Sequence, residues 1–233
     1  MILETLKLIK KNIALRCDKA ARDISEIKII AVSKNTGLNL INQAIDAGIV
    51  DLGENKAQEL SEKFPLIDKN VNWHFLGHLQ RNKVKQVVEI ASLIHSVDSL
   101  RLAEEINKQA QKCGKIQKVL LEVKTSDEAT KYGITEESEL LEIASFCLNA
   151  PNIELTGLMT LAPFTDNEEL IRKCFSDLRK LKTMLCENAI TISELSMGMS
   201  HDYEIAIEEG ATMIRLGTAI FGPRDYSKSW KEQ

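Results

Sequence analysis

Lys34 closes an apolar run, Ile27-Lys28-Ile29-Ile30-Ala31-Val32-Ser33-Lys34, and the breaker Asn35-Thr36-Gly37 follows it. A short stretch rich in Ile and Val and bounded by turn residues reads as a buried parallel strand. Ligands of α/β folds sit at the carboxyl ends of such strands, so Lys34 can deliver an amine into a site; a solvated loop lysine is the alternative. A second group lies near the other end of the chain. Ser196-Met197-Gly198-Met199-Ser200 separates a strand-like run, Ile190 to Leu195, from a helical pattern beginning at Asp202. Ser200 is the expected N-cap of that helix, whose first N–H groups and dipole suit an anion such as phosphate. The next strand-like run ends in Gly217-Thr218, so two adjacent strand ends offer anion-binding backbone, although turn chemistry alone would also explain Gly198 and Gly217. Arg215 sits in the middle of that last apolar strand. A buried guanidinium needs a partner, either a structural carboxylate or an acceptor on a ligand.

The elements that must position these groups alternate along the chain. Strands are expected at Ile27 to Val32, Ile49 to Leu52, Trp73 to Leu76, Leu93 to Ser96, Lys118 to Val123, Glu154 to Met159, Thr191 to Leu195 and Met213 to Leu216. Helical patterns fill the gaps at Leu40 to Ala47, Glu54 to Phe64, Gln80 to Ile90, Asp98 to Cys113, Glu136 to Leu148, Asn167 to Asn188 and Asp202 to Glu209, with Thr135 and Asp166 as expected caps of the two long later ones. Eight strands alternating with helices predict a parallel sheet with right-handed crossovers, closed into a single (β/α)8 TIM-type barrel. Met1 to Asp23 reads as an extra amphipathic N-terminal helix, and the polar tail from Pro223 to Gln233 as loosely held. With few prolines and glycines, most of them at strand ends, no linker divides residues 1–233, which are expected to form one domain.

Composition narrows the function classes. A chain of 233 residues that is 44% hydrophobic and 27% charged can bury a full core. Its net charge of -4 and pI near 5.7 argue against nucleic acid, and no apolar run approaches a membrane span. The amino terminus lacks the pattern of a signal peptide, so cytoplasmic residence is the expectation. Five scattered cysteines without a Cys-x-x-Cys pair read as reduced thiols. His74 and His78 are four apart, but a strand and its following turn do not place them on one face, and no metal site is expected.

Polar residues gather just after the strands: Gly53-Glu54-Asn55, then Gly77-His78-Leu79-Gln80-Arg81-Asn82-Lys83, then Asp98, then Thr125 to Gly133 with Lys131. Together with Ala31-Val32-Ser33-Lys34, Trp73-His74-Phe75-Leu76, His95-Ser96-Val97-Asp98, Gly157-Leu158-Met159 and Leu195-Ser196-Met197-Gly198-Met199-Ser200, these motifs closely resemble the pyridoxal phosphate homeostasis protein family, which is similar to the barrel domain of alanine racemase. The resemblance runs from the first strand to Gly222. It implies that Lys34 forms a Schiff base with pyridoxal 5'-phosphate, that Ser200, Gly217 and Thr218 hold the phosphate, that Arg215 faces the pyridine nitrogen and that Asn55 lines the pocket. Lys131, on the long polar segment, is a further candidate for contact with the cofactor. One departure is Lys124 after Val123, where many members carry Asn.

The chemistry expected is that of a carrier. An arginine beside the pyridine nitrogen disfavours a proton there and weakens the ring as an electron sink. The second domain that supplies a racemase with its opposing tyrosine is not expected, leaving Tyr132, Tyr203 and Tyr226. The resemblance implies intracellular pyridoxal phosphate homeostasis; the chain is expected to be a monomer that buffers the aldehyde, with apoenzymes that use it as candidate partners. A small pyridoxal phosphate-dependent amino-acid racemase is the main alternative, and a barrel aldolase using Lys34 on a phosphorylated sugar is a third.

Overall fold

Alternation along each strand decides what the barrel holds. In this computed structural model, which describes residues 2–67, 70–126, 132–223, 227 and 229–232, eight parallel strands close in sequence order, with the last pairing back onto the first. They are β1 Lys28–Val32, β2 Asp51–Glu54, β3 Asn72–Phe75, β4 Leu93–Val97, β5 Gln117–Glu122, β6 Ile153–Met159, β7 Glu194–Met199 and β8 Met213–Leu216. One set of side chains, including Ala31, Leu52, Trp73, Phe75, Ile94, Leu121, Leu158, Leu195, Ile214 and Leu216, packs outward beneath the helices in the main core. The intervening positions point into the barrel. There Ile30, Val32, Leu93, Leu120, Met159 and Met213 form a small apolar cluster of their own. Among the other inward positions is a polar set, Asp51, His74, His95, Glu122, Ser196 and Arg215, all buried.

The surrounding helices are α2 Leu38–Asp46, α3 Ala57–Lys63, α4 Val84–Val88, α5 Leu100–Lys112, α6 Glu137–Asn149, α7 Glu168–Glu187, α8 Tyr203–Glu208 and the short α9 Thr218–Phe221. The expected amino-terminal helix is α1, Ile2–Lys19. Its buried residues Ile2, Leu6, Ile9, Ile13 and Cys17 recur at helical spacing, each large aliphatic contributing roughly 1.5–3 kcal/mol on burial. Arg16 of α1 pairs with Glu204 and Glu208 of α8, tying the extra helix to the last full crossover.

Several expected boundaries move. Gln80 to Ile90 is only partly α-helical: a 3-10 turn at Arg81–Lys83 leads into the short α4. Strand β7 begins at Glu194 and runs on through the polar Ser196-Met197-Gly198-Met199 segment, because the barrel interior there accepts polar groups. Gly198 sits at φ +92 where the β7–β8 register shifts, a bulge that a side chain would strain. The caps of α6 and α7 are Glu136 and Asn167, one residue beyond the expected Thr135 and Asp166. The described end of the tail is not loose: Trp230–Glu232 forms a 3-10 turn, Trp230 is buried, and Lys231 pairs with Glu62 at 2.9 Å.

Candidate functional site

Six of the seven residues expected at the site surround one cavity. Lys34, Asn55, Ser200, Arg215, Gly217 and Thr218 line a space of about 440 Å³ at the carboxyl ends of the strands, walled by Val32, Leu76, Leu161, Phe164, Met199 and His201. The volume suits a small cofactor. Lys131 lies outside the described residues. Two larger clefts, one between α6 and α7 and one beneath β1, β2 and β7, lie away from these side chains.

Lys34 leaves the end of β1 and is held from behind by an ion cluster. The Lys63 ammonium is fully buried and donates to the Ser33 carbonyl at 2.6 Å, to Glu54 Oε1 at 2.8 Å and to Glu59 Oε1 at 2.7 Å. Ser33 Oγ donates to the same Glu54 oxygen at 2.7 Å, and the Asn35 N–H donates to Glu59 at 2.6 Å. The backbone on both sides of Lys34 is therefore clamped. Burial pushes Glu54 upward against the pull of Lys63. The Trp230 ring covers the cluster, its centroid 5.3 Å from the Lys63 nitrogen.

Asn55 follows β2, and its Oδ1 is buried with no hydrogen-bond partner among the described residues. The end of β3 passes close by: a Cβ on Gly77 would lie 2.1 Å from the Asn55 carbonyl oxygen, so glycine is required there.

The expected cap role of Ser200 is corrected by the geometry. The N-cap of α8 is Asp202, and Ser200 turns to the other strand end, where its Oγ accepts from the Gly217 N–H at 3.2 Å and the Ala219 N–H at 3.1 Å. These two N–H groups hold the Ser200 hydroxyl at the start of α9, where its own O–H and that of the exposed Thr218 can donate to a phosphate.

Arg215 has structural partners. Its Nη1 donates to Ser196 Oγ at 2.6 Å and its Nη2 to the Thr160 carbonyl at 2.8 Å. Burial lowers it to about 10, opposed by Asp202 and Glu122, so it remains a cation at neutral pH. Glu122 is pushed up to about 7 by burial and by Asp98, against Arg215.

Below Arg215 lies a group of residues that local pattern did not single out. Ser196 Oγ meets His95 Nδ1 at 2.9 Å, His95 Nε2 meets His74 Nδ1 at 2.9 Å, and His74 Nε2 meets Asp51 Oδ1 at 3.0 Å. The readable signal is the strand period, since His74 and His95 each lie between outward-facing residues on neighbouring strands. His78 belongs elsewhere: it stacks on Tyr132 and pairs with Asp98 at 3.2 Å. No metal-binding cluster occurs among the described residues.

The family model of the alanine racemase N-terminal domain matches residues 5–225. A pyridoxal phosphate homeostasis protein of Aquifex aeolicus is 41% identical over 96% of this chain and 98% of its own length. This chain belongs to the pyridoxal phosphate homeostasis protein family. A member from Mus musculus is 34% identical, covering 96% of this chain and 87% of its own. Among solved structures, PipY of Synechococcus elongatus PCC7942 with PLP bound is similar at a TM-score of 0.84 and 32% identity, covering 95% of this chain and all of that one. Alanine racemase from Streptomyces coelicolor A3(2) is similar at a TM-score of 0.73 with 17% identity and only 58% of its length covered, a likeness of fold alone. No described helix is long and apolar enough to cross a membrane.

Proposed function

We propose that this member of the family binds pyridoxal 5'-phosphate, linked reversibly through the Lys34 amine, and acts in intracellular pyridoxal phosphate homeostasis as a carrier and not as a racemase. The observation that supports this most is that the Lys34 amine, the buried Arg215 cation and the Ser200 and Thr218 hydroxyls line one cavity, brought there from β1 and the ends of β7 and β8. Asn55 lines that cavity and its buried Oδ1 has no hydrogen-bond partner among the described residues, a further sign that the polar contacts of this site are incomplete without a ligand. When bound, the group supplies an aldehyde carbon that amines capture and a ring that withdraws electrons.

The chain's own residues then have distinct tasks. Clamping of Ser33 and Asn35 fixes the direction in which Lys34 leaves the strand. The Ser200 and Thr218 hydroxyls, beside Gly217, would hold the phosphate, and Asn55 would line the pocket at the ring. Arg215, charged at neutral pH, would meet the ring nitrogen and disfavour a proton there, which lowers the ring's capacity to stabilise a carbanion. Racemisation also needs an acid or base opposite the lysine, and neither described tyrosine lines the cavity: Tyr203 is buried beside Asn12 of α1, and Tyr132 lies on His78. Lys131 is kept as a candidate contact from the β5–α6 segment.

Lys34→Ala tests the attachment. The variant is expected to lose the visible absorbance of the loaded protein and the borohydride-stable adduct detected by intact-mass measurement. An adduct retained at full occupancy on another lysine would reject Lys34 as the attachment point. Chiral chromatography of alanine or serine incubated with loaded wild type is expected to show no racemisation above buffer, and robust turnover would reject the carrier reading.

A further inference from the structure

The buried polar column inside the barrel is a chain with a direction. Ser196 Oγ receives an N–H from Arg215, which can only donate, at 2.6 Å. The serine hydroxyl proton must then go to another atom, and among the described residues the one acceptor within reach is His95 Nδ1 at 2.9 Å. His95 is fully buried, and burial together with the neighbouring His74 and Arg215 holds it well below the usual histidine range, so the ring is neutral. With Nδ1 accepting, its proton sits on Nε2 and is donated to His74 Nδ1 at 2.9 Å. His74 in turn carries its proton on Nε2 and donates it to Asp51 Oδ1 at 3.0 Å, an oxygen that also accepts from the Asn72 amide. Burial opposes ionisation of Asp51, but the bond from His74 prevails and keeps it below the usual carboxylate range. Every donor therefore points the same way, from Arg215 at the cofactor cavity to Asp51 beside a second, smaller cavity of about 190 Å³ at the opposite end of the strands.

We propose that Asp51, His74, His95 and Ser196 are positioning residues for Arg215, a one-directional hydrogen-bond chain that anchors its guanidinium from the far end of the barrel and so fixes the charge presented to the cofactor ring. The reverse direction would strand the serine proton at a fully buried position, where an unmade hydrogen bond is costly. The chain explains why four polar residues from β2, β3, β4 and β7 occupy a space that barrels of this kind fill with branched aliphatics. It rests on the reading of the upper cavity as a cofactor site only for the identity of the ring; the chain itself is a property of the protein without ligand.

The test has a part for each. In the unloaded protein, long-range ¹H–¹⁵N correlation of the imidazoles is expected to show both His74 and His95 protonated on Nε2; a His95 protonated on Nδ1 would overturn the direction. Ser196→Ala removes the one donor to His95 Nδ1 and one anchor of Arg215. It is expected to release His95 into a mixture of both tautomers, to shift the absorption maximum of bound pyridoxal phosphate and to weaken its binding roughly 10-fold. If Ser196→Ala folds, as judged by an unchanged circular dichroism spectrum, and keeps both the wild-type absorption maximum and the wild-type affinity, the positioning role is refuted. If wild type itself holds no pyridoxal phosphate, the proposed function fails, while the tautomers of His74 and His95 still decide the chain.

Discussion

Glu122 should make this fold less stable as the pH rises, and its replacement by glutamine should remove that effect. Glu122 is the last residue of β5 and buried, and its carboxyl is pushed up from 4.5 to about 7 by burial and by Asp98. In the unfolded chain the same group ionises near its ordinary value. Between those two pH values the folded protein binds a proton that the unfolded chain has released, so stability falls as pH climbs from about 4.5 to about 7 and levels off above. The difference of 2.5 pH units corresponds to about 3 kcal/mol. Glu122→Gln keeps the shape and polarity of the protonated acid but cannot ionise. Thermal unfolding of both proteins at a series of pH values should therefore show little difference near pH 4.5, and a variant more stable by roughly 6–12 °C at pH 8. A gap between the two melting temperatures that does not change with pH would refute the reasoning, because it would mean that the carboxyl titrates alike in the folded and unfolded states.

Lys63→Met should cost about 3–5 kcal/mol in urea unfolding, since it leaves Glu54 and Glu59 facing each other without their shared cation, and adding Glu54→Gln should recover part of the loss. A loss below about 1 kcal/mol would mean that the cluster is not coupled to the fold. Ser200→Ala combined with Thr218→Val should weaken pyridoxal phosphate about 100-fold while barely affecting unphosphorylated pyridoxal, as measured by fluorescence titration; equal weakening of both would place the phosphate elsewhere.

The parts of this molecule that were legible in the sequence are those encoded by neighbours along the chain. Apolar runs bounded by Gly, Asn and Asp marked the eight strands, and Lys34, Arg215 and Gly217 stood out because each breaks the character of the run it belongs to. Local pattern sets β7 too far toward the amino terminus because Ser196 and Gly198 look like a turn, although Ser196 faces the polar column inside the barrel and Gly198 lies close against α8. Ser200 looks like a helix cap because that is what a serine before an acidic helix does locally; its partners lie across the gap to β8. His74 and His95 meet only because β3 and β4 pair, and Lys63 looks like any surface lysine on a helix until Glu54, Ser33 and Trp230 are folded around it. Contacts between residues distant in sequence leave no local pattern to read.

The pairing of β8 back onto β1 has a consequence for synthesis. Lys34 emerges early from the ribosome, but Arg215, Gly217 and Thr218 belong to the last strand, and the cavity they share does not exist until the ring is shut. A growing chain therefore exposes Lys34 long before it has the hydroxyl and guanidinium of β8 and its loop to go with it. Under the proposed linkage through Lys34, capture of pyridoxal phosphate would report closure of the barrel, so a series of stalled chains of increasing length, probed by borohydride trapping, should gain the adduct in one step as β8 becomes free to pair, and gradual gain with length would contradict it.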